Sequence, residues 1–159
     1  MKISYKPIGI IRSPFKTVEG MPIQPAGAES VRDTIDIYPE FKEGLKDLNG
    51  FSHIILLYHF HCTRESKLIV RPFMDSLPHG VFSTRAPTRP NSIGISVVRM
   101  IEIKGCALTI ENVDILDGTP LLDIKPYVPE FDHYTVSRIG WLERALGIVK
   151  DKKSDRRFS

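Results

Sequence analysis

The sequence predicts a mainly β fold, a small antiparallel β-barrel with short peripheral helices. Short apolar stretches rich in β-branched residues recur along its 159 residues, and turn-forming pairs such as Lys104-Gly105 separate them. No glycine-rich dinucleotide motif follows these stretches, so nothing in the sequence indicates a nucleotide-binding α/β unit. Six or more strands joined by short turns indicate a closed or nearly closed barrel.

The strand predictions rest on apolar runs and on alternation of apolar and polar residues. In chain order, the predicted strands are residues 5–12, 31–37, 53–61, 68–73, 93–103 and 107–115. The last two flank the Lys104-Gly105 turn signal, so we expect them to pair as a hairpin. A further extended segment is expected from the Thr119-Pro120 step, because a residue before proline avoids the helical region.

Two short helices are predicted outside the barrel. Residues 40–48 carry three apolar side chains at helical spacing, and residues 137–149 carry four on one face. Ser137 is a candidate N-cap for the second helix. The polar stretch 150–159 has too little apolar surface to bury, so we expect it to be disordered.

Length and composition predict one soluble domain. We expect the barrel over residues 1–136, and a C-terminal helix and basic tail over residues 137–159 that pack on it or extend from it. Apolar residues make up 42% of the chain, but no run approaches the roughly 20 residues of a membrane helix. The N terminus lacks the apolar region of a secretion signal, and Cys62 and Cys106 are too few for a disulfide framework. These features predict a cytoplasmic protein with reduced thiols.

The basic residues are unevenly distributed, although the net charge is only +3. Residues 64–104 contain seven lysines and arginines against three acidic residues. Such a surface can dock a polyanion such as RNA, because phosphate contacts supply most sequence-independent affinity. A solvated basic face is the simpler explanation of the charge alone.

The stretch GVFSTRAPTRPNSIG, residues 80–94, is expected to be a rigid extended loop because its two prolines fix two φ angles. A rigid loop suits the guanidiniums of Arg85 and Arg89 for binding a carboxylate or a phosphate. Asn91 can read a nucleobase edge or cap a turn, and Gly94 permits close approach to the backbone. A surface turn with structural prolines is the alternative.

A second stretch of interest contains two aspartates. Asp117 lies in an Asp-Gly turn signal and can accept a hydrogen bond from a ribose hydroxyl or an amine. Asp123 and Lys125 share a strand face, where they can pair or act on a substrate. The alternative is an ordinary hairpin corner.

His59 and His61 have a spacing that metal ligands use on a strand. No recognised motif supplies a third ligand, so structural histidines are favoured and no metal site is predicted. The motifs of serine hydrolases and of P-loop proteins do not occur in the chain.

Five motifs taken together resemble the TrmO family, also called TsaA-like proteins. They are, in order, YKPIGIIRSPFK, GMPIQPAG, GFSHIILLYHFHC, GVFSTRAPTRPNSIGISVVR and LDGTPLLDIKPYVP, and they span about residues 5–132. The resemblance implies an S-adenosylmethionine-dependent methyltransferase with a β-barrel fold, which works as a homodimer with its cofactor near the subunit interface. The implied reaction is N6-methylation of threonylcarbamoyladenosine at position 37, in the anticodon loop of tRNA.

The resemblance also implies which positions contact S-adenosylmethionine. They are Pro22, Ile23, Gln24, His61, Cys62, Arg85, Ile95, Asp117, Gly118, Thr119 and Pro120. The chain departs from the family pattern at two of these positions, since members usually have arginine where it has Ile23 and glutamine where it has Cys62. Two polar contacts are therefore lost or replaced, which leaves the tRNA and the nucleoside open.

The candidate catalytic residues are Asp123, Tyr127 and Asn91. Removal of the N6 proton would assist methyl transfer, so Asp123, Tyr127 and His61 are candidate bases. Asn91 would orient the target base, and Arg85 would bind a carboxylate of the cofactor or the substrate.

Arg89 and Lys125 are the candidate RNA contacts. Two other classes of protein stay open at this point. One is a barrel that binds RNA or a nucleotide without catalysis. The other is an enzyme for small molecules, either a methyltransferase of the same fold or a metal-dependent enzyme that uses His59 and His61.

Overall fold

The computed structural model describes residues 1–23, 32–145 and 153–158. The main strands are β1 (Gly9–Arg12), β2 (Arg32–Ile37), β3 (His53–His59), β6 (Ile93–Lys104), β7 (Ala107–Glu111) and β8 (Thr119–Pro126). These six antiparallel strands close into a barrel in the order β1-β2-β7-β6-β3-β8, and β8 pairs with β1. Two short strands, β4 (Ile69–Val70) and β5 (His79–Gly80), form a separate sheet. The predicted small antiparallel barrel is confirmed.

Aliphatic side chains that alternate along the strands fill the barrel. In β3, Ile54 and Leu56 are fully buried while their neighbours are partly exposed, because successive side chains point to opposite faces of a sheet. The fully buried aliphatic residues are Ile11, Ile35, Ile54, Leu56, Val98, Leu108, Ile110, Val113 and Leu121. The apolar core is therefore the barrel interior itself.

The predicted hairpin is confirmed, with Ile103 opposite Leu108 across β6 and β7. Gly105 has a φ of +63° in the turn, a conformation that glycine adopts without strain. β7 ends at Glu111 rather than at the predicted residue 115. The reason is that Asn112 has a φ of +65°, which turns the chain out of the sheet.

The predicted helix over residues 40–48 is two short 3-10 helices, Pro39–Leu45 and Leu48–Gly50. Asp47 lies between them with a φ of +64°, which interrupts a regular helix. The predicted position is therefore right, while the predicted helix type is wrong.

The second predicted helix begins later, at Gly140, and its described part is of the 3-10 type, Gly140–Ala145. It begins after residue 137, so the prediction that Ser137 is its N-cap is wrong, and residues 146–149 lie outside the described ranges. The short helix α1 (Pro129–Asp132) was not predicted. No helix in the described ranges is long and apolar enough to cross a bilayer.

Several strands are shorter than predicted. β1 begins at Gly9 rather than residue 5, and β3 ends at His59, which leaves His61 in a turn. Only two residues of the predicted strand 68–73 form β4, and Pro72 follows closely. Proline has no N–H to donate to a strand ladder, so it limits this strand.

Residues 153–158 pack against the barrel, so the predicted disorder is wrong for these six residues. Lys153 forms an isolated β-bridge with Pro22. Phe158 packs against Phe73, with ring centres 5.1 Å apart at an interplanar angle of 79°. Backbone pairing, ring packing and hydrogen bonds from polar side chains, such as Arg157 Nη1 to the Pro72 carbonyl at 2.7 Å, together hold this segment.

The antiparallel order gives the barrel two different ends. At the end that we call the mouth, β3 finishes while β6 and β8 begin. At the opposite end, the base, β6 turns into β7 through Gly105 and β8 finishes at Pro126. Leu45 and Leu48 of the 3-10 helices are partly buried and pack against the core.

Candidate functional site

A cavity of about 630 Å³, which we call the mouth cavity, lies at the mouth of the barrel. Its walls come from the end of β3, the start of β6, the 80–94 loop and the segments around Met21 and Ser154. Small-molecule sites in proteins typically have volumes of roughly 300–1,000 Å³. The mouth cavity therefore has room for a ligand of cofactor size.

Most residues that the sequence suggested as cofactor contacts meet at the mouth cavity. Those that line it are Pro22, Ile23, His61, Cys62, Arg85, Ile95 and Thr119. Arg89, a predicted RNA contact, lines it as well. Asp117, Gly118 and Pro120 flank Thr119 without lining the cavity, and Gln24 lies outside the described residues.

The turn before β8 is fixed by the Asp117 carboxylate. It accepts a hydrogen bond from the Ser13 N–H at 3.0 Å and pairs with Lys16 Nζ at 2.7 Å. The Lys16 and Ser13 hydrogen bonds hold the pKa of Asp117 below its usual range. Thr119 Oγ1, at the start of β8, lies 3.3 Å from His61 Nδ1. Asp117 therefore fixes the turn, whereas Thr119 and His61 form part of the cavity wall.

Burial shifts the titration of His61, which lies just beyond β3. It lowers the pKa of the imidazole, and the nearby His59 lowers it further. His61 is therefore biased toward its neutral form, in which one ring nitrogen can accept a hydrogen bond.

The two arginines of the 80–94 loop have different surroundings. Arg89 Nη1 donates hydrogen bonds to three carbonyl oxygens of its own loop, at 2.8, 3.2 and 3.4 Å. Its guanidinium carbon also lies 6.0 Å from the centre of the Phe82 ring. The positive charge of Arg85 instead acts on the cavity residue Asp114, where it favours the ionised carboxylate. Arg89 thus braces the loop, while Arg85 contributes charge to the cavity wall.

A buried polar chain separates the mouth cavity from the apolar core. Ser96 Oγ donates a hydrogen bond to Asp114 Oδ1 at 2.7 Å and lies 3.0 Å from the Tyr58 hydroxyl. Burial raises the pKa of the Asp114 carboxyl to about 6 and raises that of Tyr58 above its usual range. Tyr58 and Asp114 both line the cavity, and Ser96 is only 2% exposed.

Sequence reasoning missed this polar chain, although two signals were present. Ser96 occupies a core-facing position in the alternating pattern of β6, and Asp114 interrupts an apolar run. Buried polar groups need partners, so a polar residue at a core-facing position predicts a network or a site.

Gly94 allows the Tyr58 ring to lie directly against β6. A Cβ at this position would overlap the Tyr58 ring and lie 2.9 Å from Phe60 Cζ. The predicted close approach at Gly94 is therefore confirmed. Tyr58 and Phe60 also pack edge to face, with ring centres 5.5 Å apart.

Thr88 and the 153–158 segment are cavity residues that sequence reasoning missed. Thr88 is 5% exposed, and its Oγ1 has no hydrogen-bond partner within the described part of the chain. Ser154, Arg157 and Phe158 also line the cavity. The available signal for this segment was Phe158, the single apolar side chain in a polar stretch.

The remaining predicted site residues lie off the mouth cavity in a single chain. Asp123 pairs with Lys125 at 2.8 Å, with both side chains about half exposed. Tyr127 lies at the base, where its N–H donates to the His53 carbonyl at 3.2 Å. Asn91 belongs to the 80–94 loop but does not line the cavity.

The histidines and cysteines do not form a cluster typical of metal binding. In the part of the chain that the structure describes, no three His, Cys, Asp or Glu residues are grouped so as to hold a metal ion. Cys62 and Cys106 are both free thiols, and Cys62 is exposed.

Comparison with known proteins gives consistent sequence matches. A family model described as the tRNA-methyltransferase O N-terminal domain matches residues 10–133. A probable S-adenosyl-L-methionine-binding protein of Pyrococcus abyssi is 57% identical over 158 residues, covering 99% of this chain and 86% of its own length. A tRNA (adenine(37)-N6)-methyltransferase of Homo sapiens is 34% identical over 134 residues, covering 80% of this chain and 30% of its own length.

Solved structures show the same architecture. A crystal structure of TrmO superimposes with a TM-score of 0.76 at 44% identity, covering 88% of this chain and 64% of the other. TrmO from Pseudomonas aeruginosa gives a TM-score of 0.74 at 43% identity, covering 89% and 63%. The chain thus spans slightly less than two thirds of these crystallised chains. Given this shared barrel and the family match over residues 10–133, the chain belongs to the TrmO family.

Proposed function

We propose that the protein is an S-adenosylmethionine-dependent methyltransferase that modifies N6 of adenosine 37 in tRNA. The names of its relatives, which include S-adenosyl-L-methionine-binding proteins and tRNA (adenine(37)-N6)-methyltransferases, support this reaction class. The observation that carries the proposal is the mouth cavity, where Pro22, His61, Arg85 and Thr119 meet although they belong to different motifs.

The residues of the mouth cavity fit S-adenosylmethionine chemically. The Arg85 guanidinium suits the carboxylate of the ligand, and the buried carboxyl group of Asp114 suits its cationic part. Thr88 Oγ1 is buried without a partner in the described chain, so a ligand can satisfy it. Tyr58 and Phe60 offer aromatic surface for the adenine ring.

The protein contributes mainly by positioning, because S-adenosylmethionine supplies an electrophilic methyl group when bound. Arg85 and Thr119 would hold the ligand, and the apolar side chains of Ile23 and Ile95 would exclude water. The substrate that we propose in detail is N6-threonylcarbamoyladenosine, as the family resemblance implies. Cys62 lines the cavity together with Ile23, so both implied cofactor contacts that depart from the family pattern lie where they can change ligand contacts.

The proposal keeps Asp123, Tyr127 and Asn91 as candidate catalytic residues, and Arg89 and Lys125 as candidate RNA contacts. In a single chain the first three lie off the mouth cavity, so a second copy would have to bring them to it. This requirement can be tested separately from cofactor binding.

A homodimer is part of the proposal, and the outer face of β6 is the surface that we assign to it. Ile93, Ile95, Val97 and Ile101 form a stripe on this face and are 37–47% exposed. Ile93 and Ile95 also line the mouth cavity, so a copy seated on the stripe would reach the cavity edge. Burial of this apolar stripe between two copies favours their association. We expect the dimer to act in the cytoplasm.

The direct test is to incubate the protein with methyl-labelled S-adenosylmethionine and total tRNA, and to analyse the nucleosides by mass spectrometry. We expect the label in an N6-methylated adenosine derivative. Arg85→Ala should lose about tenfold or more in cofactor affinity, since a hydrogen-bonded charge contributes about 1.5–3 kcal/mol. Arg138→Ala removes an exposed guanidinium outside the cavity and should match the wild type.

Two results would contradict the proposal at different levels. Failure of the wild type to bind S-adenosylmethionine in calorimetry would overturn it. Cofactor binding without any labelled nucleoside would leave a binding barrel or a methyltransferase of another substrate. Light scattering tests the dimer independently, and a monomeric mass would contradict the assigned face.

A further inference from the structure

A second cavity of about 620 Å³, which we call the side cavity, adjoins the mouth cavity. The two share wall residues, among them Ile23, Arg85, Pro87 and Phe158. An enzyme that transfers a group must bind its donor and its acceptor side by side, because the reacting atoms must come within about 3–3.5 Å. Two cavities that share wall residues can hold a donor and an acceptor next to each other.

The lining of the side cavity is aromatic and carries little charge. Four rings contribute to it, from Phe73, Phe82, Trp141 and Phe158. No acidic residue is among its described lining residues, and Arg85 is the single charged one. A flat, uncharged ring system next to anionic phosphates suits such a lining better than a cationic or aliphatic ligand.

Trp141 is held in a fixed orientation on the wall of the side cavity. Its indole N–H donates a hydrogen bond to the Ser83 carbonyl at 2.9 Å. One side of the ring stacks on His79, with ring centres 4.6 Å apart and an interplanar angle of 20°. His79 is in turn bound to Asp75, with Nε2 and Oδ2 2.9 Å apart. A ring fixed in this way loses little conformational entropy when another ring stacks on it.

Phe82 extends the aromatic surface toward solvent. Its side chain is 76% exposed, and Arg89 lies over its ring at 6.0 Å. Its ring continues the aromatic lining that Phe73, Trp141 and Phe158 give the side cavity. The guanidinium above it adds a positive charge at the point where a nucleic-acid backbone would enter.

On the basis of the proposed function, we propose that the side cavity takes the purine base of the acceptor nucleoside, stacked on Trp141, while the mouth cavity holds the methyl donor. The shared wall at Arg85 is then the place where donor and acceptor meet. An unpaired base in a tRNA loop is available for such insertion at small cost, because it has no pairing partner to lose.

Trp141 provides a direct readout because it is the single tryptophan of the chain. Two anticodon stem–loops serve as probes, one with adenosine at position 37 and one with uridine there. Both carry the same phosphates, so a difference between them reports on the base alone. We expect the adenosine probe to quench Trp141 fluorescence more strongly than the uridine probe. Equal quenching by the two, or none, would overturn the assignment.

Steady-state kinetics with tRNA give a second test. Trp141→Leu should raise the KM for tRNA about tenfold, the effect expected for loss of one stacked base, and leave the Kd for S-adenosylmethionine unchanged. Trp141→Phe keeps a ring and should stay near the wild type. Tyr134→Leu removes an exposed ring outside both cavities and is the matched control.

The results distinguish this inference from the proposed function. An unchanged KM in Trp141→Leu, with normal methyl transfer, would overturn the purine site and leave the methyltransferase intact. Adenosine-selective quenching without methyl transfer would support the purine site and count against the reaction. A wild type that neither binds S-adenosylmethionine nor distinguishes the two probes would overturn both.

Discussion

The base and the mouth of the barrel differ in what the same strands bury. Toward the base, β3 contributes Ile54 and Leu56 to a fully apolar interior. At the mouth, the next core-facing residue of β3 is Tyr58, whose hydroxyl joins Ser96 and Asp114 in a buried polar chain. Burying polar and ionisable groups costs free energy even when they are paired. Burial in the apolar part of the barrel therefore offsets the free-energy cost of the polar groups at the mouth, which is shaped for a ligand.

Two tightly packed glycines should separate stability from binding, and we expect them to give the largest effects. Gly94, at the mouth, packs against the Tyr58 ring, whereas Gly9, in β1, packs against the backbone of Asp36. Gly94→Ala and Gly9→Ala should each lower the free energy of unfolding by about 1–3 kcal/mol, because neither site has room for a methyl group. Chemical denaturation measures this loss.

Gly94→Ala alone should also weaken the binding of S-adenosylmethionine, since it displaces the Tyr58 ring from the cavity wall. We expect a Kd increase of about tenfold in calorimetry, against little change for Gly9→Ala. An equal loss of affinity in both variants would mean that binding depends on the whole barrel rather than on its mouth.

A separate effect on stability is expected from pH, because Asp114 gives the mouth a titrating group that the base lacks among its core residues. Burial raises the pKa of Asp114 from 3.8 to about 6, so the folded protein binds this proton more tightly than the unfolded chain does. The stability that this provides is fully present below pH 3.8 and is lost as the pH rises through about 6. We expect it to amount to about 3 kcal/mol.

The check is the free energy of unfolding of the wild type and Asp114→Asn, measured between about pH 4 and pH 7. Asp33 contributes to the pH dependence of stability with the same sign, since burial and the charge of Asp117 raise its pKa to about 6. Only the difference between the two proteins therefore reports on Asp114. Asp114→Asn should show the shallower decline, and parallel curves would contradict the prediction.

The smallest effect on stability is expected at the exposed pair between Asp123 and Lys125. Lys125→Ala should change the free energy of unfolding by less than about 1 kcal/mol, because exposed ion pairs contribute little. If Lys125 contacts a tRNA phosphate, the variant should also reduce the salt dependence of tRNA binding by about one unit of slope. An unchanged salt dependence of tRNA binding would contradict the assignment of Lys125 as an RNA contact.

The sequence was sufficient to predict the barrel and the hairpin, because alternation and turn residues act locally. The end of β7 at Glu111 and the helix type around Asp47 could not be predicted from the sequence, because each depends on one residue with a positive φ. The motifs indicated Arg85 and Thr119, whereas the buried partners Ser96 and Thr88 become visible only when the core is assembled. Residue patterns predict which groups can act, but contacts between distant segments decide which of them meet.

The bridge between Pro22 and Lys153 has a consequence for the order in which the site is assembled. All six barrel strands lie before residue 127, so the sheet can close without residues 153–158. Ser154 and Phe158 are nevertheless part of the mouth cavity wall. Closure of the sheet is thus not sufficient to complete the binding site, which is finished only when the 153–158 segment docks on the barrel.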